Sequence, residues 1–467
     1  MTSQRSVYPI QKSVPCGGIL SIMTTSVIFL ASGPGCTGLE GTIAITVVTA
    51  PDSDLRERVV RARLTSSDPQ ASAEVTRGAD GSLALDLDLV ATGTTGTVMF
   101  EGFDETGDLI AFGRTPPLPI QAVDAEVAIY VGPPMSLAEA PVSMPAARSG
   151  MGVARLPSGA ALVGGRDAAG TPSTGFVAYS AYSHDLQVLL DLPEARADIT
   201  ASVNASGSVF LFGGLGVDGQ TSSTLWRFDI DNFSPSGRYN ELSTDATWAR
   251  SGARAAPISD QDLLITGDPV LVVNSLTNEL RDDPDAPALA GTANTIIFDG
   301  AYHTVFIGAG NGDGGGLVLR DGDFQTLDEP ALRRTGHGTV VLPDATALIV
   351  GGQTGGFFDT AGFTVDPRSL EITRHPGLLT VARTDAAIAA TDEYVLVAGG
   401  KDSDGQVVAD AEIVSAATLA PVTAVPMLVP RYRAHAVALE SGQVAIFGGL
   451  DSADQPIATI ELFTPEP

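Results

Sequence analysis

GQVAIFGGLD at residues 442–451 and GSVFLFGGLG at residues 207–216 share four consecutive apolar residues, two glycines and a leucine. The double glycine recurs at Gly164-Gly165, Gly213-Gly214, Gly351-Gly352, Gly399-Gly400 and Gly448-Gly449, each time after an apolar run such as AALV, ALIV or YVLVA. The first glycines lie 49, 138, 48 and 49 residues apart, so two weaker units are expected inside the long gap. A second mark locates them. Arg148, Arg196, Arg334, Arg383 and Arg431 precede Gly164, Gly213, Gly351, Gly399 and Gly448 by 16 or 17 residues, and Arg250 precedes Gly267 by 17 after the run LLIT. Gly308, after TVFI, fills the remaining gap without an arginine. Seven units of about 47 residues result.

A period in this range made of short strands predicts a β-propeller with one four-stranded blade per unit; a solenoid is the alternative. Within a unit the arginine is followed by a weakly apolar strand, a turn such as LPSG (156–159) and the strongly apolar strand. The last reads as continuously apolar because both its faces pack between neighbours. The glycines let the chain turn where blades crowd together. An Asp/Gly loop follows, as in KDSDG, and then a third strand such as LWRFDI (225–230) or IELFT (460–464). The seventh unit has no segment for a fourth strand, whereas SLAEAPVSMPAAR (136–148) has the Pro-x-x-Arg ending of such segments and precedes the first unit. It is expected to pair beside residues 459–464, because an unpaired edge is a liability.

Composition agrees with an all-β chain: 44% hydrophobic and 17% charged residues, with 52 Gly and 30 Pro in 467 residues. The formal charge of -29 would repel a phosphate backbone, so nucleic acid is excluded as a partner. Ahead of the repeats, TIAITVV (42–48), RVVRARL (58–64), GSLALDLDLV (81–90), GTVMFEGFDETGDLIAFG (96–113) and AEVAIYV (125–131) alternate as strands do, predicting a small β-sandwich, Ig-like or transthyretin-like. Asp104 to Asp108 reads as its hairpin turn, since one acidic turn has too few oxygens for calcium. The expected domains are a signal at 1–35, the sandwich at 36–133 and the propeller at 134–467.

Residues 1–16 carry Arg5 and Lys12 and no acid; GGILSIMTTSVIFLA (17–31) is then apolar and too short to span a bilayer. SGPGC (32–36) resembles a bacterial lipoprotein box, with Gly33 where that pattern usually has Leu. The resemblance implies that Cys36 is lipidated and becomes the new N-terminus, and Thr37 in place of Asp implies the outer membrane or cell surface; plain secretion is the alternative. No Cys occurs in residues 37–467, so the mature chain holds no internal disulfide.

RTGH at 334–337, the GG strands and the aromatic-bearing third strands resemble the kelch-repeat family over roughly residues 134–467. The Tyr and Trp usual after the glycines are mostly replaced; only Trp226 and Trp248 occur. The resemblance implies a non-catalytic scaffold binding protein or glycan partners in the envelope or outside the cell. Copper oxidases with kelch blades need a Cys–Tyr cross-link, which residues 37–467 do not provide. No cofactor or metal is expected: the five histidines form no close ligand pair, and no nucleophile elbow, phosphate loop or H-E-x-x-H occurs. A sugar-binding or sugar-converting, mutarotase-like enzyme is the alternative, weakened by 6% aromatic residues.

The repeated arginines and the first glycines are expected to be structural, tied to backbone carbonyls or acids; a ring of guanidinium groups holding an anion is the other reading. Specificity is expected in the loops after the glycines, at Asn311 and Asp313 in GNGDGGG, Phe357 and Phe358 in GGQTGGFFDT, and Asp402 and Asp404.

Overall fold

A computed structural model describes residues 25–28, 43–79, 83, 94–119, 125–204, 206–231, 234–242, 244–289, 293–298, 302–308 and 315–467. The described chain is almost entirely antiparallel β-sheet, and none of its helices is long and apolar enough to cross a membrane. Cys36, Asn311, Asp313 and residues 81–90 apart from Leu83 lie outside the described residues, as does the signal segment 1–35 except Thr25–Ile28. That tetrapeptide forms a strand beside Ile43–Val48.

Between Ser136 and Thr464 the described residues form seven sheets, numbered here by the order of their first strands: Gly152–Leu156, Thr200–Val203, Ala255–Pro257, Ala293–Phe298, Thr335–Val341, Ala387–Ala390 and His435–Ala438. Each has four strands paired in sequence order, and sheet 5 adds the short strand Phe357–Phe358. Sheet 7 takes its fourth strand from far upstream. Ser136–Glu139 pairs antiparallel with Glu461–Thr464, Ser136 opposite Thr464 and Glu139 opposite Glu461, which is where the sequence places it.

The second strands explain their composition. Gly159–Val163, Val209–Phe212 and Val444–Phe447 are buried at every position. Successive side chains point to opposite faces, so Ala161 and Val163 meet Val209 and Leu211 of sheet 2 while Ala160 and Leu162 meet Ala445 and Phe447 of sheet 7. The same alternation joins Phe210 and Phe212 to Leu263 and Ile265, Leu264 to Phe306, Val305 and Ile307 to Ala347 and Ile349, Leu348 and Val350 to Val395 and Val397, and Leu396 and Ala398 to Val444 and Ile446. Apolar clusters thus join each sheet to the next in sequence, and one further cluster holds residues of sheets 7 and 1. Each fully buried Val, Leu, Ile or Phe contributes about 1.5–3 kcal/mol.

Gly399 shows why the strands end in glycine. Its φ is +62°, and a Cβ there would stand 2.0 Å from the carbonyl oxygen of Arg431 in the next sheet. Gly448, with φ +61°, faces the carbonyl oxygen of Arg148 in sheet 1, 2.8 Å from where its Cβ would stand. Gly405 has a φ of +77° but open space around it. We expect Gly405→Ala to cost about 1–2 kcal/mol from backbone strain alone, and Gly399→Ala roughly twice that or more, because the interface between sheets 6 and 7 must also open. Urea midpoints of the two variants check this.

The small N-terminal region has one sheet of Gln70–Thr76, Arg61–Ser67, Val98–Phe103 and Leu109–Arg114, and a second in which Ile43–Val48 runs parallel to Ala125–Tyr130. Leu64, Phe100, Ile45 and Ile129 are among the residues that fill its core. Gln70–Thr76 is a strand the sequence reading did not anticipate. Its side chains alternate only between exposed and half-buried, with Ala71, Ala73 and Val75 on the inner face, so its apolar signature is weak. The turn at 104–108 is a hairpin turn in which the Asp104 carboxylate accepts the N–H groups of Thr106 and Asp108 at 2.9 and 3.0 Å.

This region touches the ends of the strands opposite the double glycines. Arg114 Nε donates to the Ser441 carbonyl at 2.5 Å and Gln443 Nε2 to that of Tyr130 at 3.2 Å, both in the first turn of sheet 7. Tyr182, in the last turn of sheet 1, donates to Pro117 and accepts from the N–H of Ala128. Beside it His184 is 1% exposed, its Nδ1 2.8 Å from the Tyr179 hydroxyl and its ring 5.7 Å from that of Tyr130. Burial pulls its pKa from 6.5 down to about 3. The unfolded state therefore binds more protons between pH 6.5 and 3, and stability falls as pH drops through that window by up to about 1.4 kcal/mol per unit, levelling off below it. In His184→Gln this contribution to the slope of urea midpoint against pH is expected to vanish.

Candidate functional site

The repeated arginines are committed to the scaffold. Arg148 Nη1 donates to the carbonyls of Gly164 and Gly175 at 3.0 and 2.8 Å, Arg383 Nη1 to Gly399 and Asp410 at 3.1 and 2.9 Å, and Arg431 Nη1 to Gly448 and Thr459 at 3.2 and 2.9 Å. Arg334 reaches Gly351 at 2.7 Å, and Arg250 reaches Thr266 and Pro269 at 3.2 and 2.7 Å. Arg196 instead bonds Glu194 and Ser222 and lies over the Trp226 ring. The guanidiniums of Arg148, Arg383 and Arg431 bridge the gap that the double glycine opens between the second and third strands of their own sheet. The main chains of the repeated arginines tie sheets together: Arg196, Arg250, Arg383 and Arg431 accept from the N–H of Gly165, Gly214, Gly352 and Gly400 of the preceding sheet at 2.8 to 2.9 Å.

Two of them hold buried carboxylates. Arg431 Nη2 is 2.5 Å from Glu461, both side chains 0% exposed, and Arg383 pairs likewise with Glu412. Glu461 also accepts the N–H groups of Leu428 and Val429 at 2.9 and 3.2 Å. Burial lowers the Arg431 pKa from its ordinary value and Glu461 works against that. Guanidinium remains charged under any ordinary condition.

The end of the strands that carries the glycines forms a mouth. Two residues after each repeated arginine the backbone is left-handed, at Gly150, Asp198, Gly252, Gly336, Asp385 and Arg433, with φ between +50° and +67°. The N–H of Asp198 donates to Gly150 O, that of Gly252 to Asp198 O, that of Asp385 to Gly336 O and that of Arg433 to Asp385 O, at 2.7 to 2.8 Å. The conformation is kept because each position is fixed by its neighbour in the adjacent sheet. Around this rim Arg166 pairs with Asp198 at 2.6 Å and Arg433 with Asp385 at 3.4 Å, while Tyr432 donates to Asp454 with Lys401 Nζ over its ring.

The sequence-selected loop residues divide here. Asp402 accepts the N–H groups of Asp404 and Gln406, both at 2.9 Å, so its carboxylate is spent on holding its own loop; Asp404 is exposed. Thr354 pairs with Phe357 and Gln353 with Phe358 across Gly355-Gly356, a two-residue hairpin that extends sheet 5 at the mouth. Phe357 is 81% exposed at its tip, and Phe358 is half-buried.

Below the rim the first strands line two adjoining, open-sided cavities of about 540 and 330 Å³. Sheets 1, 2, 3, 5 and 7 contribute to the first and sheets 1, 5, 6 and 7 to the second, with walls mainly of Ala, Val, Gly, Ser and Thr. Arg155 and His435 line both, and Arg254 lines the larger. Both arginines are exposed to the cavity. Surrounding protein lowers the Arg254 pKa from its ordinary value, opposed by Asp198. His435 is held down to about 4 by burial and then by Arg254. His337 is held at about 4 by burial, then Arg334, with Arg254 adding to it, and both its ring nitrogens are buried without a hydrogen-bond partner.

Neither Arg155 nor Arg254 was singled out from sequence. The available signal was a charge inside a strand that other units fill with small residues, GVARL against TASV, AIAA and HAVA. No protein-family model and no curated protein matches the chain. Among the described residues no three His, Cys, Asp or Glu side chains gather to hold a metal ion.

Proposed function

We propose that this chain is an envelope-anchored, non-catalytic binding platform. In this reading residues 134–467 form a closed seven-bladed kelch-type propeller, residues 36–133 a β-sandwich spacer, and residues 1–35 a signal whose removal leaves Cys36 lipidated at the outer membrane or cell surface. Supporting closure are the continuous packing of sheet on sheet, including sheet 7 on sheet 1, and the strand pairing of Ser136–Glu139 with Glu461–Thr464. The reading is carried by one observation. The small N-terminal region contacts one end of the strands, and the loops after the double glycines, the rim and the Phe357 hairpin stand at the other. A lipid at Cys36 would then turn the mouth away from the membrane, toward a protein or glycan partner.

The test places a photo-crosslinking residue at Phe357, at the mouth, or at Thr418, in an exposed turn at the far end of sheet 6. Cross-linking in intact cells is expected from the first site only, and equal products from both defeat the platform reading. Fatty-acid labelling is expected to disappear in Cys36→Ala; equal labelling removes the anchor.

A further inference from the structure

The molecule carries 55 acidic against 26 basic residues, and most of its described arginines are paired with acids or backbone carbonyls. Arg155 and Arg254 break this pattern. Each lines the central cavity, and neither makes a side-chain hydrogen bond or ion pair among the described residues. The acid that supports Arg254 is Asp198, whose carboxylate is already bonded to Arg166 at 2.6 Å. No Asp or Glu is among the residues lining either cavity. His337, whose pKa Arg254 also depresses, keeps both ring nitrogens buried without a partner.

Two guanidiniums face one concave space whose lining holds no carboxylate, so an anion is the charge complement that space lacks. Low-dielectric walls also focus the field of charges that line a cleft. The cavity is therefore a positive well in a molecule of net charge -29. Planar guanidinium forks match carboxylate and phosphate oxygens two by two. At about 540 Å³ the larger cavity falls in the range that encloses a small organic ligand.

We propose that the central cavity binds a small oxyanion, a carboxylate or phosphate compound, between Arg155 and Arg254, with His435 on the wall beside it. The anion role weighed for the repeated arginines thus passes to two that do not repeat. Ser202 and Thr339, which also line this cavity, supply hydroxyls for the uncharged part of the ligand.

The inference deepens the platform reading by naming what enters the mouth. Calorimetric titration of the whole mature chain at constant ionic strength uses citrate and inorganic phosphate as probes, with sucrose as the neutral control. Saturable binding of one ligand per chain is expected for citrate or phosphate, and the tighter of the two identifies the oxyanion; sucrose gives none. Arg155→Gln and Arg254→Gln should each weaken binding by about tenfold or more, equal to about 1.4 kcal/mol. Their urea midpoints should not change, because both side chains face water. Arg281→Gln, on the exposed outer strand of sheet 3, should bind as the parent does. The inference falls if neither anion saturates below about 10 mM, a free energy too small for a built site, or if the two cavity variants bind as the parent does. Phe357 stands outside the cavity, so the two tests fail separately. Loss of mouth-specific cross-linking with citrate or phosphate binding intact removes the platform and leaves the anion site, and the reverse removes the anion site alone.

Discussion

Glu461→Gln lowers the stability of the chain by about 3–5 kcal/mol, the cost of leaving a buried charge without its partner. Arg431 is 0% exposed and its guanidinium remains charged, so removing the carboxylate leaves a cation between two carbonyls with no anion nearby. The amide still accepts from Leu428 or Val429, which separates loss of charge from loss of the turn. Asp198→Asn is the comparison. It also breaks an arginine pair, Arg166–Asp198 at 2.6 Å, but both side chains are about a third exposed, and such a pair contributes about 1 kcal/mol or less. Asn tolerates the left-handed backbone at that position. If the two variants have the same urea midpoint, Glu461 does not neutralise Arg431 in the way described.

The second large effect is at the junction of sheets 7 and 1. Replacing residues 136–144 by a Gly/Ser segment of equal length removes the strand Ser136–Glu139, Ala140 at 0% exposure and Met144 at 4%. The main-chain groups that bond the Tyr130 hydroxyl, Ile460 and Ala458 remain in the replacement, but on a far more flexible backbone that pays more entropy to present them. Truncating one buried Met costs about 2–5 kcal/mol, and the exposed edge of Glu461–Thr464 adds to that. The same replacement over residues 402–407, in an exposed loop, is expected to change the urea midpoint far less. Equal losses would mean that the upstream strand is not part of what holds sheet 7.

The scaffold was legible because it repeats. Arg, the largely buried second strand and the double glycine recur together in five units and answer the same packing requirement there, so spacing alone aligns them. The fourth unit shows the limit: it has no arginine, and Gly308 has a φ of 159°, outside the pattern of Gly399 and Gly448. Glu412 and Glu461 were missed for a related reason. The equivalent place, thirteen residues after the first glycine, holds Val177, Trp226 and Thr364 in other units, so no acid stands out in a reading by repetition. Arg155 and Arg254 were missed because a cavity wall is built from short stretches of several different sheets. The chain records those stretches about a unit apart, and nothing in one unit shows which of its neighbours share the space. Gln70–Thr76 was missed because its inner face carries two alanines and a single larger apolar residue, Val75.

The pairing of Ser136 with Thr464 joins positions 328 residues apart. Bringing the ends of so long a loop together costs about 5 kcal/mol of chain entropy, and no contact repays it until the ends meet. Sheets 1 to 6 can form in order as the chain emerges, each on the one before, but sheet 7 must wait for both ends. Its assembly is therefore the slow, topologically distant step. Until then Ser136–Glu139 is an unsatisfied edge near the start of the folded part, available to any other strand. The interval between synthesis of the first sheet and arrival of Glu461–Thr464 is when the chain most needs a chaperone, and a concentration-dependent loss of yield on refolding is the signature to expect.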